Sequence, residues 1–316
     1  MLSRREFLSG SAAVAFSRLI PLRTGPNWPD RTVKLAVLAD LHHGLAPDAL
    51  SRFEAFVAGV RARHDHDAVL QMGDFCYSDP GAKRCLDLWR SIRGRRLGVL
   101  GNHDMDKCDK ATATFAFGMP GRYYSQVIGG YRFVVLDLNH FKKYGKLNSY
   151  ANGNYFADGA SCNWADPEQL VWLDKEVRAS REPVILISHQ PLGFAELGQA
   201  VPPEQREVLD VIAAAGKANP AGAVALSMFG HLHVDRLEHV DETPFYCVNS
   251  ASYFWFNGMH PYTAPLFAFM ELQPDGHLKV QGVQGEFVRS PPTASASVLG
   301  RSASIQDRSI GFAPGH

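Results

Sequence analysis

The sequence predicts an α/β fold whose first strands lie parallel and whose last strands are antiparallel additions, on three observations. Short apolar runs alternate with segments of helical period from Thr32 onward. Five of those runs end in Asp, Asn or His. Three further β-rich runs follow one another near the end of the chain with no helical segment between them.

In order, Val33-Lys-Leu-Ala-Val-Leu-Ala39 reads as a buried strand ending at Asp40. Pro47 to His64 carries Leu50, Phe53, Phe56, Val57 and Val60 at helical spacing, with Pro47 suited to an early helix position. Ala68-Val-Leu-Gln-Met72 is a strand ending in Gly73-Asp74, a helix spans about Ala82 to Ile92, and Leu97-Gly-Val-Leu100 ends in Gly101-Asn-His-Asp104. Two consecutive strand–helix–strand units predict parallel neighbours with right-handed crossovers.

Tyr131 to Asp137 is another strand. His140 to Trp164 is rich in Gly, Asn and Tyr without a period and reads as a long surface loop, a length that is usually functional. Pro167 to Ala179 is a helix, Pro183 to Ile187 a strand ending in Ser188-His189, and Glu204 to Ala215 a helix. Ala223 to Met228 is a strand ending in Gly230-His-Leu-His233. The late runs fall near 244–249, 265–272 and 278–283, with Pro274-Asp275-Gly276 as a turn. Residues 289–316 are rich in Ser, Ala, Pro and Gly and read as a poorly ordered tail.

A chain of 316 residues is long enough to bury a sizeable core unaided. Lys plus Arg (32) equals Asp plus Glu (32), which argues against a nucleic-acid partner, because that needs a positive footprint to displace counterions. No apolar run is long enough to span a bilayer as a helix. The five cysteines (Cys76, Cys85, Cys108, Cys162 and Cys247) form no C-x-x-C pair, and their odd number leaves at least one unpaired in a monomer.

The opening Ser3-Arg4-Arg5-Glu6-Phe7-Leu8, followed by a weakly apolar stretch and Ala13-Val14-Ala15, resembles a bacterial twin-arginine export signal. Residues 1–30 are thus expected to be signal and linker. The expected partner is the twin-arginine machinery, and the expected location is periplasmic or secreted.

The chemistry lies at the strand ends. Asp40/His42, Asp74, Asn102/His103, His189 and His231/His233 fall where ligands bind in an open α/β sheet. Asp40 and His42 are two apart, as are His231 and His233, so in extended chain each pair points the same way. Two Asp, one Asn and four His exceed what one tetrahedral ion needs and suit two divalent ions sharing a carboxylate.

Asp40-Leu-His42, Gly73-Asp74, Gly101-Asn-His-Asp104, Ser188-His189 and Gly230-His-Leu-His233 resemble the five ordered blocks of the calcineurin-like metallophosphoesterases. The resemblance implies a four-layer sandwich of two mixed sheets flanked by helices over residues 31–288. It implies one ion on Asp40, His42, Asp74 and His233, and a second on Asp74, Asn102, His189 and His231, the ions being Mn, Fe or Zn. It further implies hydrolysis of a small phosphate ester by an activated hydroxide. His103 would stabilise phosphoryl charge or protonate the leaving oxygen, with Asp104 behind it orienting the imidazole. Monoesterase, diesterase and nucleotide pyrophosphatase stay open, as does a non-catalytic binding module. The aromatics from Tyr253 through Trp255 could stack a base or cover the sheet, covering being the favoured reading, and Cys76 is expected to be a packed thiol.

Overall fold

A computed structural model describes residues 28–156, 158–194, 200–291 and 302–312. The expected export signal lies outside the described residues, apart from the linker residues 28–30.

The strand–helix–strand reading of the first hundred residues holds. β1 (Val33–Leu38), β2 (Ala68–Gln71) and β3 (Arg95–Gly98) run parallel, joined through α1 (Ala49–Arg63) and α2 (Lys83–Ser91). β3 starts two residues before the expected run, because Arg95 and Arg96 sit at an exposed sheet edge and carry no apolar signal. α3 (Lys110–Phe117) was not expected. It is delimited by Asp109, whose carboxylate accepts from Thr112 N–H, and by Gly118 in the left-handed conformation.

The second sheet is built on β4 (Tyr124–Ile128) and β5 (Tyr131–Val135), an antiparallel pair. Where the sequence suggested a loop, β6 (His140–Lys143), β7 (Lys146–Ser149) and β8 (Ser161–Trp164) form a small three-stranded sheet. Its strands are short and half-exposed, so neither face shows an apolar alternation. α4 (Pro167–Ala179) follows, with Asp166 capping Glu168 and Gln169 N–H and Pro167 in the first turn. Then come β9 (Val184–Ile187), α5 (Pro203–Ala218) and β10 (Val224–Phe229).

The second sheet is completed by β11 (Arg236–Val240) and β12 (Thr243–Cys247), giving the order β11-β12-β10-β9-β5-β4. β13 (Tyr253–Trp255) and β14 (Met259–Pro261) form a two-stranded ribbon. β15 (Ala268–Leu272) returns antiparallel to β1, followed by β16 (His277–Gly282). Residues 302–312 of the expected tail carry regular structure. β17 (Arg308–Gly311) pairs with β16 and buries Ile310, so the first sheet reads β17-β16-β15-β1-β2-β3. Among the described residues of the segment, Ile305, Ile310 and Phe312 are the large buried apolar side chains, too scattered among Ser, Asp and Gly to read as an apolar run.

Both sheets are mixed. Alternate residues of β1 divide between two cores: Val33, Leu35 and Val37 face the second sheet, while Ala36 and Leu38 face Phe53, Phe56 and Trp89 of α1 and α2. Buried Arg52 ties α1 to the loop bearing β13, donating to the carbonyls of Ala251 (3.2 Å), Tyr262 (2.6 Å) and Ala264 (2.8 Å).

Candidate metal centre

The carboxyl ends of β1, β2 and β3 in one sheet and of β9 and β10 in the other meet at one place, bringing all five blocks together. The pairing at two-residue spacing works differently from an extended chain. Asp40 (φ 50°), His42 (φ 54°), Asp74 (φ 48°), His231 (φ 67°) and His233 (φ 53°) all adopt the left-handed conformation. Left-handed non-glycine residues carry backbone strain and concentrate at functional sites. The strands end before these residues, and each sharp turn aims a side chain inward.

Glycines make room. Gly73 has φ +89°, and a Cβ there would lie 2.5 Å from His189 Nδ1. A Cβ on Gly101 would overlap the nitrogen and Oδ1 of Asp74.

Asp40, His42 and His233 form one buried group of possible ligands, and Asp74, His189 and His231 another; a third joins His42, Asp74 and His103. His42 Nε2 faces His233 Nε2 at 3.0 Å, and His233 Nε2 lies 3.4 Å from Asp40 Oδ1. His231 Nδ1 faces His189 Nε2 at 3.2 Å. Asp74 spends Oδ1 on the backbone N–H of His103 (2.8 Å), leaving Oδ2 between His189 (3.2 Å) and His42 (3.7 Å). One oxygen of Asp74 thus faces both groups.

These residues fit a pair of ions. His189 Nδ1 is held by the carbonyl of Met72 at 2.9 Å, which directs Nε2 into the cluster. Asn102 Nδ2 donates to the Tyr155 hydroxyl at 3.5 Å, while its buried Oδ1 has no protein partner. Burial holds His42 well below its ordinary pKa, and burial beside His189 pushes His231 down to about 3, so both are neutral, while against its burial Asp74 and Asp40 raise His189 to about 9, a proton that a bound ion would displace. Burial works against the charge on Asp74, but His189 and His103 outweigh it and keep the carboxyl well below the usual range.

His103 sits at the edge of the cluster, its ring 5.3 Å from that of His42. The carboxylate that orients it is Asp106: His103 Nδ1 lies 2.7 Å from Asp106 Oδ2. The Tyr77 hydroxyl donates to the same oxygen at 3.1 Å, and that of Tyr155 donates to Oδ1. Asp104, expected in this role, points elsewhere. Its Oδ1 accepts from Phe75 N–H (2.8 Å) and Cys76 N–H (3.1 Å), and its Oδ2 from Gly101 N–H (2.8 Å). Asp104 therefore staples the loop after β2 to the loop after β3. Cys76 is a packed thiol, and its carbon framework lies in the core.

Asp106, Tyr77 and Tyr155 are additions to the expected site residues. The signal for Asp106 was its spacing: residues three apart eclipse on a 3₁₀ turn, and His103–Met105 is one. Tyr253 also does more than cover the sheet, packing at 4.9 Å on His42 and 5.0 Å on His233.

A family model for calcineurin-like phosphoesterases matches residues 33–235. The chain belongs to this family. It is a metal-dependent hydrolase of phosphate esters on the metallo-dependent phosphatase fold. Among solved structures, a dimetal phosphatase from Danio rerio matches at TM-score 0.62 and 14% identity, over 90% of this chain and 100% of that one. GAP50, described as the anchor in the inner membrane complex of Plasmodium, matches at TM-score 0.50 and 14% identity, over 82% and 87%. Such distant likenesses speak to the fold alone. No curated protein sequence matches this chain. The family match ends at Asp235, so β11 to β17 lie beyond it.

Proposed function

We propose that this phosphoesterase is a phosphodiesterase whose two divalent ions are held by Asp40, His42, Asp74 and His233 and by Asp74, Asn102, His189 and His231. The observation that carries the reading is the convergence of these side chains around Asp74 Oδ2, with His103 held at their edge. Carboxylate, amide and imidazole donors suit Mn, Fe or Zn. When bound, the ions supply a nucleophilic hydroxide at neutral pH and neutralise charge on the phosphoryl oxygens.

The remaining steps belong to the chain. His103, with Nδ1 held by Asp106, presents Nε2 to the departing ester oxygen and delivers its proton there. Asp74 Oδ1 fixes the His103 backbone, so the proton donor and the candidate ligands share one anchor. Among the described residues, the hydrogen-bond, ion-pair and ring partners of the His42, His103 and His233 side chains include carboxylates, imidazoles and aromatic rings and no lysine or arginine. That lining favours a singly charged diester over a dianionic monoester, which would draw on added cations.

A panel of nitrophenyl phosphate, bis-nitrophenyl phosphate and a dinucleoside pyrophosphate on the metal-loaded protein tests this. Faster turnover of the diester is expected; preference for either of the others reassigns the substrate class.

The twin-arginine-like opening supports export of the folded, metal-loaded protein to the periplasm. Replacing Arg4 and Arg5 by Lys and fractionating bacterial cells tests it. Retention in the cytoplasm is expected, and unchanged export removes the proposal.

A further inference from the structure

Two large aromatic side chains stay exposed beside the candidate centre: Phe156, at 67%, and Trp255, at 58%. Phe156 packs 4.2 Å from Tyr155 and 5.9 Å from His103. Trp255 shares a face of β13 with Tyr253, two residues away and 6.3 Å between rings. Tyr253 in turn lies against His42 and His233. Phe156 and Trp255 are thus the two ends of one continuous run of ring contacts: Phe156, His103, His42, Tyr253, Trp255. Met259, the cross-strand partner of Trp255, extends the apolar wall at that end.

Neither exposed ring is needed to hold an ion or move a proton, and each leaves an apolar face in water beside the chemistry. We propose that Phe156 and Trp255 are stacking walls for the two ester arms of the substrate, making it a phosphodiester with a planar aromatic group on each arm. The proposal rests on the phosphodiesterase reading and deepens it. His103 assigns the arms. In hydrolysis a hydroxide oxygen bonds to phosphorus, the bond from phosphorus to the leaving oxygen breaks, and that leaving oxygen takes the proton of His103, giving a monoester and an alcohol, with His103 reprotonated from solvent. The leaving group therefore lies on the His103 side, against Phe156, and the retained arm lies towards Tyr253 and Trp255.

Bis-nitrophenyl phosphate and methyl nitrophenyl phosphate share a leaving group and differ in the retained arm, so the ratio of their kcat/KM values reads the Trp255 wall. In the metal-loaded full chain, Trp255→Ala is expected to lower that ratio about tenfold, the usual scale of one lost stacking contact, and Trp255→Phe to restore most of it. Phe156→Ala should lower both values together and leave the ratio in place. A ratio indifferent to Trp255→Ala overturns the proposal. Binding of diphenylphosphinate against dimethylphosphinate, which have no ester bond to break, gives a readout without turnover. Calorimetry should show tighter binding of the diphenyl anion by about tenfold, lost in Trp255→Ala. Should the wild type hydrolyse neither ester yet keep that preference, the diesterase reading fails and the stacking walls stand. Should it hydrolyse both esters with no effect of Trp255→Ala on ratio or binding, the walls fail and the diesterase reading stands.

Discussion

Asp106 Oδ2 holds His103 Nδ1 at 2.7 Å across a single 3₁₀ turn, and the Tyr77 and Tyr155 hydroxyls hold Asp106 in place. The two hydroxyls occupy lone pairs that would otherwise draw the carboxylate out towards water. The arrangement fixes which ring nitrogen of His103 is free to meet substrate.

Asp106→Asn is therefore expected to impair proton delivery to the leaving oxygen. An alkyl phosphodiester, whose leaving oxygen needs the proton, should lose about 10²-fold or more in kcat, and a nitrophenyl diester far less. Metal content should match the wild type. Equal losses on the two esters would assign Asp106 a purely structural role.

Asp104 has the opposite signature. Its carboxylate serves three buried backbone N–H groups, of Phe75, Cys76 and Gly101. Asp104→Ala leaves them unpaired, at about 1–3 kcal/mol for each buried donor left unmade, and should sharply lower the thermal midpoint. Thermal melts of Asp104→Ala and Asp106→Asn side by side separate the two roles, the second melting near the wild type.

The difference between these two carboxylates marks how far the sequence could be read. The five blocks were legible because each follows a buried apolar run, plain in β1, β2, β9 and β10 and confined to the stretch from Leu97 to Leu100 at the exposed-edge β3. Asp104 and Asp106 look equivalent in Gly101-Asn-His-Asp-Met-Asp106, and only the 3₁₀ turn decides which one faces the imidazole. β6 to β8 were illegible for another reason. Lys142, Lys146 and Asn148 alternate with few apolar residues, and the small sheet is closed by Tyr150 between its own strands, its ring 6.1 Å from that of Phe141 and its hydroxyl accepting from Asn163 N–H at 3.2 Å. The left-handed turns at Asp40, His42, His231 and His233 are only weakly signalled by residue type, since Asp and His are enriched in that conformation yet adopt it in a small minority of cases.

Gly73→Ala combines a positive φ with a methyl group 2.5 Å from His189 Nδ1. The imidazole must shift, weakening the group of Asp74, His189 and His231 while Asp40, His42 and His233 keep their places. Elemental analysis should find about one ion lost per chain, and retention of the full complement would contradict the placement of His189.

Away from the centre, Asp137 is buried against Lys110 Nζ (2.6 Å) and Arg122 (3.0 Å). Burial opposes its charge, but Lys110, His140 and Arg122 hold its pKa below the usual range. Its contribution to stability is complete above its unfolded value and is lost as pH falls towards the folded one. His140, pushed down to about 4 by burial and by Lys110, is neutral in the folded chain and takes up a proton more readily when unfolded. Stability should therefore decline from about pH 6.5 towards about pH 4 through His140 and further below that through Asp137. Lys110→Met, which leaves Asp137 with a single cation, should cost several kcal/mol at neutral pH, on the order of a broken buried pair. Melts across that pH range check both statements.

A pair of ions around Asp74 would drive phosphoester hydrolysis in this chain. Metal content by elemental analysis, paired with bis-nitrophenyl phosphate turnover in the wild type and Asp74→Asn, tests it most directly. The expected result is about two ions per wild-type chain, with turnover lost in the variant. A wild-type chain that holds no ion and gains no activity on addition of Mn or Zn would rule out the two-ion centre.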